Sequence, residues 1–379
     1  MGIRGLVKFF EDKGVPHTTR QRFTEDMVHV DMMSVFYPLL RARHYQALSD
    51  EASRISKRIN ATQDHGVFQM CSIIQSACSS TASVINRQLR EKGVTPDNAT
   101  LHFDGARSQG KHRAHLIRRN ATIQSLTTLR QEAAEYLTTG NGNLTSILRR
   151  AKNNTGVPGH FKEGVCEFES DVCMARTCGP TDIIMSGDSD AFVYSTIQNV
   201  AFATQNGERS YEMYKKYDIL QTLDITSDQL SLLGIITQND YNVHIQGMTT
   251  RRNYEEFIMD NEFAIDQGAE PAMAFREAVQ AYKNQFASPD AQGEFHDAID
   301  VFVDFTEAPL GAEQILPPID DANTVLEMLV QIESHKIQSS SAPPVQPPQF
   351  DTPYWSIGLV DEKGKGSSRH STSATLSDN

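Results

Sequence analysis

Aspartates follow three short runs of apolar and β-branched residues, at the points where strands are predicted to end. They are Asp31, Asp104, and the pair Asp188 and Asp190. The carboxyl ends of parallel strands meet in one crevice of a sheet, so these side chains are expected to converge. Like charges are costly to bring together unless a cation neutralises them. The pattern therefore predicts a metal site.

Three more acids have positions that suit the same crevice. Glu167 and Glu169 flank Phe168, so an extended backbone would place both carboxylates on one side. Asp240 follows an apolar helix. Any one of these acids alone is as readily explained as a helix cap or a solvated helix start. Together, carboxylates without a Cys/His cluster select Mg²⁺ or Mn²⁺ over Zn²⁺, and two such ions about 4 Å apart hydrolyse phosphodiesters.

Strands and helices alternate along the part of the chain that carries these acids. Strands are predicted at Met27–Val30, Ala99–Phe103 and Asp182–Ser186. Apolar residues at helical spacing from residue 67 to 89 predict a helix that stops at Lys92-Gly93. The alternation indicates βαβ crossovers and a mainly parallel sheet. Asn206-Gly207 predicts a hairpin at the edge of the sheet, and residues 225–236 predict another helix.

Charge is divided unevenly along the 379 residues. Residues 254–335 hold 18 acids against only Arg276 and Lys283, a balance of −16, so the rest of the chain carries +3 of the total of −13. The acidic segment would repel a polyanion, whereas residues 1–253 could bind one. No apolar run is long enough for a membrane span, and the N-terminus lacks the apolar core of a secretory signal.

The five cysteines form no C-x-x-C pair and no zinc-site spacing. An odd number of cysteines without a secretory signal indicates reduced thiols in an intracellular protein. We therefore expect an intracellular location, with the nucleus favoured over the cytoplasm.

Four blocks of the sequence resemble the flap endonuclease family, the XPG-type structure-specific 5′-nucleases. They are Met1–Leu6 with Val28–Tyr37, Phe103-Asp104-Gly105 with the basic stretch behind it, Glu167–Asp190, and Gln238-Asn239-Asp240-Tyr241. Their order and spacing match over residues 1 to about 260. The resemblance implies an α/β, PIN-like fold: a mainly parallel sheet flanked by helices, with a helical arch and a divergent helix–two-turn–helix segment.

The resemblance also implies roles for the matching positions. Seven carboxylates would hold two Mg²⁺ ions: Asp31, Asp104, Glu167, Glu169, Asp188, Asp190 and Asp240. Lys111 and Arg118 match the cations that reach the scissile phosphate in the family. Their spacing, with His115 between them, puts all three on one helical face, although a solvated basic face has the same spacing.

Two further positions match the substrate-contacting parts of the family. Tyr37, six residues after Asp31, corresponds to an aromatic ring that stacks on a base, although a core tyrosine is an equal alternative. Gly2 corresponds to a backbone position near the metal ions, although an ordinary flexible chain start is an equal alternative.

The pattern also departs from the family. The hairpin of the helix–two-turn–helix falls in residues 245–252, where Gly247 remains but Thr249 replaces the second expected glycine. This puts a potassium ion there in doubt, while Arg251 and Arg252 could still contact phosphates. Residues 105–165 are long enough to form the arch and carry cations suited to a single strand. No sliding-clamp motif fits Gln349–Trp355, so a protein partner would use the acidic segment or the tail.

The sequence thus predicts a nuclease core over residues 1–253, with an N-terminal block at about 1–119, an arch at about 105–165 and an internal block at about 160–253. A mainly helical acidic extension (254–335) and a Pro/Ser-rich disordered tail (336–379) follow. The predicted activity is Mg²⁺-dependent cleavage of flapped, branched or nicked DNA, with Mn²⁺ as a substitute. An RNA endonuclease of the mRNA-decay or host-shutoff type stays open, as does a catalytically silent XPG-like scaffold, which the repulsion among seven acids disfavours.

Overall fold

Four neighbouring parallel strands form one side of a six-stranded sheet. The strands are β1 (Thr18–Arg20), β2 (Val28–Asp31), β3 (Ala99–His102), β4 (Ile183–Ser186), β5 (Asn199–Ala203) and β6 (Tyr211–Lys215). Their spatial order is β1-β6-β5-β4-β2-β3. β2 is parallel to β3 and β4, β4 is parallel to β5, and β6 is antiparallel to β5 and β1. The predicted mainly parallel α/β fold is confirmed.

The structure is a computed structural model that describes residues 2–62, 70–155, 166–203, 210–242, 245–265, 268–287, 295–316, 319 and 321–341. The side chains of residues 61, 62, 70–80 and 341 are outside this description. The predicted Asn206-Gly207 turn and the aromatic pair Tyr354-Trp355 of the predicted tail also lie outside the described residues.

Twelve α-helices lie within the described ranges. They are α1 (Leu6–Lys13), α2 (Met32–Thr62), α3 (Met70–Glu91), α4 (His112–Thr139), α5 (Leu144–Asn154), α6 (Ser170–Thr177), α7 (Lys216–Leu223), α8 (Ser227–Ile236), α9 (Thr250–Asn253), α10 (Pro271–Phe286), α11 (His296–Phe302) and α12 (Asp321–Ser341). None of these helices is long and apolar enough to cross a membrane.

The strands form where the sequence predicted them because both faces of the sheet are covered. Val28 and Val30 are fully buried, and His29 between them is buried as well. Continuous burial of this kind is typical of a parallel sheet with helices on both sides. The hairpin strands β5 and β6 are present too, but β6 is not the edge of the sheet, because β1 pairs with it. β1 has only three residues without hydrophobic alternation, so no sequence signal marked it.

Helix ends follow local signals in the sequence. α8 begins at Thr226, whose hydroxyl accepts a hydrogen bond from the backbone N–H of Gln229 (3.1 Å), while the Gln229 side chain accepts one from the backbone N–H of Thr226 (2.9 Å). This reciprocal capping box confirms the predicted helix that leads to Asp240. α3 ends at Glu91, and Gly93 follows with a φ of 74°, a conformation that favours glycine.

A second hydrophobic cluster lies apart from the sheet and joins four helices. The second half of α2, helices α4 and α5 of the predicted arch, and α12 bury their apolar faces together. Leu129 of α4 and Val325 of α12 are fully buried there, and Ser56 of α2 donates a hydrogen bond to the carbonyl of Val330 (3.0 Å). The arch helices are therefore packed on a helix from the far end of the chain.

The acidic segment packs into the same compact unit as the core, which extends from Met1 to Ser339. Phe275 and Tyr282 of α10 and Phe302 of α11 are buried in the cluster that also contains α8. The predicted start of the tail, residue 336, falls inside α12, which continues to Ser341. The buried positions of α12 end at Ile332, and residues 338–340 are exposed although they are helical.

Candidate active site

Asp31 ends β2 and is buried at the carboxyl edge of the sheet. Its carboxylate accepts hydrogen bonds from the backbone N–H of Ser34 (3.1 Å) and from the hydroxyls of Ser186 (3.0 Å) and Ser170 (3.2 Å). Burial raises the pKa of Asp31 to about 6, and the charge of Asp104 adds to the rise. Three donors thus orient a carboxyl group that is less acidic than an exposed one.

Asp104 lies two residues beyond β3 and contacts the start of α6. Its carboxylate accepts a hydrogen bond from the backbone N–H of Ser170 (3.1 Å). The next residue must be glycine, because a Cβ on Gly105 would lie 1.9 Å from the backbone carbonyl oxygen of Cys166. This close backbone approach joins two of the sequence blocks that are more than sixty residues apart.

Glu169 and Glu167 occupy different environments, although the sequence predicted them as a pair. Glu169 is partly buried in the crevice, and burial raises the pKa of its carboxyl group. Glu167 is exposed, and its backbone carbonyl contacts the N–H of Ala106 (2.9 Å). Phe168 between them is buried, as predicted. The structure therefore brings the Glu169 side chain to the other acids, whereas the Glu167 side chain lies outside the crevice.

Asp188 and Asp190 lie in the turn that follows β4. The backbone N–H of Asp188 donates to the Ser186 hydroxyl (3.0 Å), and the backbone N–H of Asp190 donates to the Asp188 carboxylate (3.3 Å). Asp190 is completely buried, and neither of its carboxylate oxygens has a hydrogen-bond donor among the described residues. Burial, followed by the charges of Asp188 and Asp171, raises the pKa of Asp190 well above its usual range.

Gly2 lies against this turn. A Cβ at Gly2 would lie 1.9 Å from a carboxylate oxygen of Asp188 and 2.4 Å from the hydroxyl oxygen of Ser189. The Ser189 hydroxyl also donates to the carbonyl of Ile3 (3.1 Å). Gly2 is therefore held beside the acids, where the sequence predicted it, and is not part of a flexible chain start.

Lys111 lies buried among the acids at the N-terminus of α4. Its ammonium nitrogen is 2.9 Å from a carboxylate oxygen of Glu169 and 4.8 Å from the ring centre of Tyr241. Burial alone would lower the pKa of Lys111, but the nearby carboxylates, Asp171 first among them, raise it well above its usual value. Lys111 is thus a permanently charged cation inside the carboxylate cluster.

Arg118, two turns further along α4, forms an ion pair with Asp240. His115 lies between the two cations on the same helical face, and burial, together with the charge of Arg118, lowers the pKa of the His115 imidazole to about 4. The imidazole is therefore neutral at physiological pH. Lys111 of the predicted basic face is buried in the acidic crevice, whereas the Arg118 side chain is 37% exposed and pairs with Asp240, so the face is not simply solvated.

Two acids at this site were not among the predicted residues. Asp171 of α6 is buried and accepts a hydrogen bond from the Tyr194 hydroxyl (3.1 Å). Glu307 belongs to the acidic segment, and one of its carboxylate oxygens accepts from the backbone N–H of Glu169 (3.2 Å). Burial raises the pKa of Glu307 to about 8, with the charge of Asp171 as the next cause. The spacing of two from Glu169 to Asp171 was an available signal, whereas nothing in the sequence marked Glu307.

Tyr37 lies on α2, one helical turn after Ser34, and its side chain is 40% exposed. The guanidinium of Arg41 lies over its ring, 5.7 Å from the ring centre. The core-tyrosine alternative is therefore wrong, and the ring is accessible to a stacking partner. Its apolar neighbours, residues 35 and 36, are half-buried and buried. The exposure of Tyr37 therefore could not be predicted from the hydrophobicity of the residues beside it.

Arg251 and Arg252 are exposed near the predicted duplex-contacting hairpin. Arg251 pairs with Asp12 (2.9 Å), and Arg252 pairs with Glu256 (2.8 Å). Thr249, which replaces the second glycine of the family pattern, accepts a hydrogen bond from the backbone N–H of Arg252 and caps α9. Surface ion pairs of this kind contribute little stability, so both guanidinium groups can exchange their partners for phosphates.

The arrangement as a whole is a cluster of acids that two cations enter. The buried and partly buried acids interact with one another, Lys111 pairs with Glu169, and Arg118 pairs with Asp240. Burial first, and the charges of neighbouring acids after it, raise the pKa values of Asp31 and Asp190. Such a site favours the binding of a hard cation and of a ligand that such a cation attracts.

No family model and no curated protein sequence matches this chain. The chain is similar to solved structures of the catalytic core of Rad2 in complex with a DNA substrate, at 15% identity and a TM-score of 0.40, over 89% of this chain and 99% of that one. Flap endonuclease-1 from Methanococcus jannaschii is similar at 16% identity and a TM-score of 0.40, over 89% of this chain and 100% of that one. The activity has to be argued from the site itself.

Proposed function

We propose that this protein is a Mg²⁺-dependent, structure-selective 5′-nuclease that hydrolyses phosphodiester bonds of flapped, branched or nicked DNA. The observation that carries the proposal is Asp190. This fully buried carboxyl group, without a donor for either oxygen in the described structure, lies beside Asp188 and Asp171. A buried acid in this position is explained by a cation that it binds.

The donor set fits two hard divalent ions. Asp31, Asp104, Glu169 and Asp188 would hold the first with the newly found Asp171, and Asp190 and Asp240 would hold the second. Carboxylate oxygens favour Mg²⁺ or Mn²⁺ over softer ions. Glu167 is exposed here, so its predicted role as a direct ligand requires its side chain to rotate inward. When bound, such ions neutralise the phosphate and lower the pKa of a water molecule.

The protein's own residues supply positioning and charge. Ser34, Ser170 and Ser186 orient Asp31, so the carboxylate does not need to reorganise when a substrate arrives. Lys111 and Arg118 present two cations to the same crevice from one face of α4. A phosphate oxygen that enters the crevice would accept hydrogen bonds from both, which stabilises the extra charge of the transition state.

Substrate binding would use the surface around this crevice. The exposed ring of Tyr37 offers a stacking surface for a base, and Arg251 and Arg252 offer guanidinium groups for the backbone phosphates. These features suit a nucleic acid that passes from duplex to single strand at the site. They support the DNA-junction proposal without specifying the sugar.

An RNA endonuclease is the second candidate, and one observation favours it. Glu307 places a carboxyl group of the acidic segment at the crevice. The same segment pairs with the loop before α4, because the Gln109 N–H donates to the Ala308 carbonyl (2.8 Å) and the Leu310 N–H donates to the Arg107 carbonyl (3.1 Å). The pKa of about 8 keeps Glu307 itself mostly protonated at neutral pH, so the repulsion comes from the rest of the acidic segment, whose balance is −16. That charge disfavours a long DNA duplex, whose two backbones would both be repelled. A single strand of RNA has less backbone charge to accommodate.

The two candidates are separated by cleavage of end-labelled 5′-flap DNA, nicked duplex DNA and unpaired RNA at one salt concentration. The proposal predicts Mg²⁺-dependent cuts near the flap junction. Cleavage of RNA alone would show that the protein is an RNA endonuclease in which the same residues have the same roles. Cleavage of none of the three, with intact binding, would favour the scaffold instead.

A further inference from the structure

Three nitrogen and sulfur ligands meet behind the carboxylate crevice. His102 ends β3, Cys166 precedes the exposed Glu167, and Cys173 lies on α6. One ligand atom from each residue lies within 4.8 Å of the other two, and the Cys166 sulfur is 3.7 Å from His102 Nδ1. His102 and Cys166 are buried, Cys173 is partly exposed, and both cysteines are free thiols.

A hydrogen-bond chain determines which nitrogen of His102 carries its proton. The Asp182 carboxylate only accepts, so the His29 Nε2 that lies 3.2 Å from it must carry a hydrogen. The other nitrogen of a neutral His29, Nδ1, then accepts from His102 Nε2 at 2.9 Å. His102 Nδ1 is consequently left with a free lone pair, and this is the atom that faces the Cys166 thiol.

This is the arrangement that zinc sites use. A histidine ligand usually donates its second N–H to another polar group, which fixes the tautomer and orients the ring. Tetrahedral Zn²⁺, with Zn–S near 2.3 Å and Zn–N near 2.0–2.1 Å, places nitrogen and sulfur ligands about 3.5–3.6 Å apart. The observed separation of 3.7 Å between His102 Nδ1 and Cys166 Sγ matches this value.

We propose that His102 Nδ1 and the thiolates of Cys166 and Cys173 bind one Zn²⁺ ion, distinct from the ions of the carboxylate site. Binding releases the two thiol protons to solvent, so the two thiolates balance the charge of the ion. A water molecule takes the fourth position on the partly exposed side of Cys173. Imidazole and thiolate ligands select Zn²⁺ over Mg²⁺, so the two sites do not compete for the same ion.

The zinc ion would hold together the three segments that supply the crevice. His102 is two residues before Asp104, Cys166 is one residue before Glu167, and Cys173 is on the helix that carries Asp171. Its role is positional, and the proposal does not depend on the nuclease activity. A protein without this ion would keep its carboxylates but hold them less firmly.

The test is the metal content of the full-length chain, purified under reducing conditions and dialysed against metal-free buffer. Elemental analysis is expected to find about one zinc per chain. Cys173→Ser should lose most of it, whereas Cys178→Ser should keep it, because Cys178 lies at the end of the same helix and outside the ligand group. Asp188→Asn should also retain its zinc, which separates this site from the carboxylates.

Cobalt substitution gives a second readout. Co²⁺ in the wild-type protein should show thiolate-to-metal charge-transfer absorption and the visible bands of a tetrahedral site, and both should disappear in Cys173→Ser that circular dichroism shows to be folded. Wild-type protein without zinc, or cobalt spectra unchanged by Cys173→Ser, would overturn the proposal. So would mass spectrometry that finds a Cys166–Cys173 disulfide in place of bound metal.

Discussion

The ammonium nitrogen of Lys111 lies 2.9 Å from the carboxylate of Glu169, and the two side chains are only 8% and 12% exposed. Because this pair lies among several further acids, Lys111 is the internal cation on which the folded crevice depends without bound metal. The same ammonium group faces the place where a phosphate would bind. One residue therefore connects the stability of the site with its proposed chemistry.

Lys111→Met should lower both the stability of the protein and its rate of cleavage. Removing one member of a buried ion pair costs about 3–5 kcal/mol, so the free energy of unfolding without divalent ions should fall by that amount. Cleavage should fall by about 100-fold in kcat, because the phosphate loses a preorganised donor. Denaturant unfolding and single-turnover cleavage measure the two effects. Lys57→Met, on an exposed position of α2, should change neither, and a Lys111→Met enzyme with normal kcat would contradict the assigned role.

Metal affinity should depend on pH through Asp31. Its pKa is raised to about 6 from its usual value, so the folded protein retains this proton as the pH rises from 4 towards 6. Without metal, ionisation of this group therefore lowers stability over that window. Since Mn²⁺ needs ionised carboxylates, its affinity should rise about tenfold per pH unit below pH 6 through Asp31 alone, and should go on rising above pH 6 because Asp190, whose pKa is also raised, must lose its proton. Calorimetric titration with Mn²⁺ at a series of pH values measures this affinity.

Asp31→Asn should flatten this profile and weaken Mn²⁺ binding at every pH. Asp260→Asn, which removes an exposed acid outside the crevice, should behave as the wild type. An unchanged pH profile in Asp31→Asn would show that this carboxylate is not a ligand.

Gly2→Ala should disrupt the crevice without unfolding the protein. The added methyl carbon would lie 1.9 Å from a carboxylate oxygen of Asp188, so either the chain start or the acid must move. Displacing a catalytic group by about 1 Å costs roughly 100-fold in rate, and kcat should fall accordingly. Gly14→Ala is the matched control: its φ of 73° strains an added side chain, but nothing lies within 4 Å. It should lose some stability and keep its activity.

Leu329→Ala should destabilise the arch helices from a distance. Leu329 of α12 is buried against α2, α4 and α5, and deleting a buried leucine side chain costs about 2–5 kcal/mol. Hydrogen exchange of the α4 and α5 amides should accelerate as a result. Glu327→Ala, on the exposed face of the same helix, should leave exchange unchanged. Unaltered exchange in Leu329→Ala would show that α12 does not support the arch.

The sequence predicted the parallel strands β2, β3 and β4 and most of the acids because these depend on local signals. Runs such as Val28-His29-Val30 are buried on both sides of a parallel sheet, and the acids follow them directly. The capping residue of α8 was likewise visible in the sequence. Elements with a strong local cause were therefore found within one or two residues.

What the sequence did not reveal depends on contacts between distant segments. Glu307 reaches the crevice across 138 residues from Glu169, and α12 packs on helices near the other end of the chain. The cysteines show no zinc-site spacing, yet Cys166 and Cys173 meet His102 once β3 and α6 come together. Only the folded arrangement joins these groups, since no repeat or spacing in the chain indicates them.

Asp188→Asn tests the central claim most directly, because it replaces one carboxylate oxygen with an amide and leaves the size of the side chain unchanged. Cleavage of end-labelled 5′-flap DNA and unpaired RNA should be measured with Mg²⁺ beside the affinity for each substrate. We expect cleavage to be lost, by at least about 1,000-fold, while nucleic-acid affinity stays within a few-fold of the wild type. Undiminished cleavage in the variant would contradict a metal-dependent nuclease built on these carboxylates.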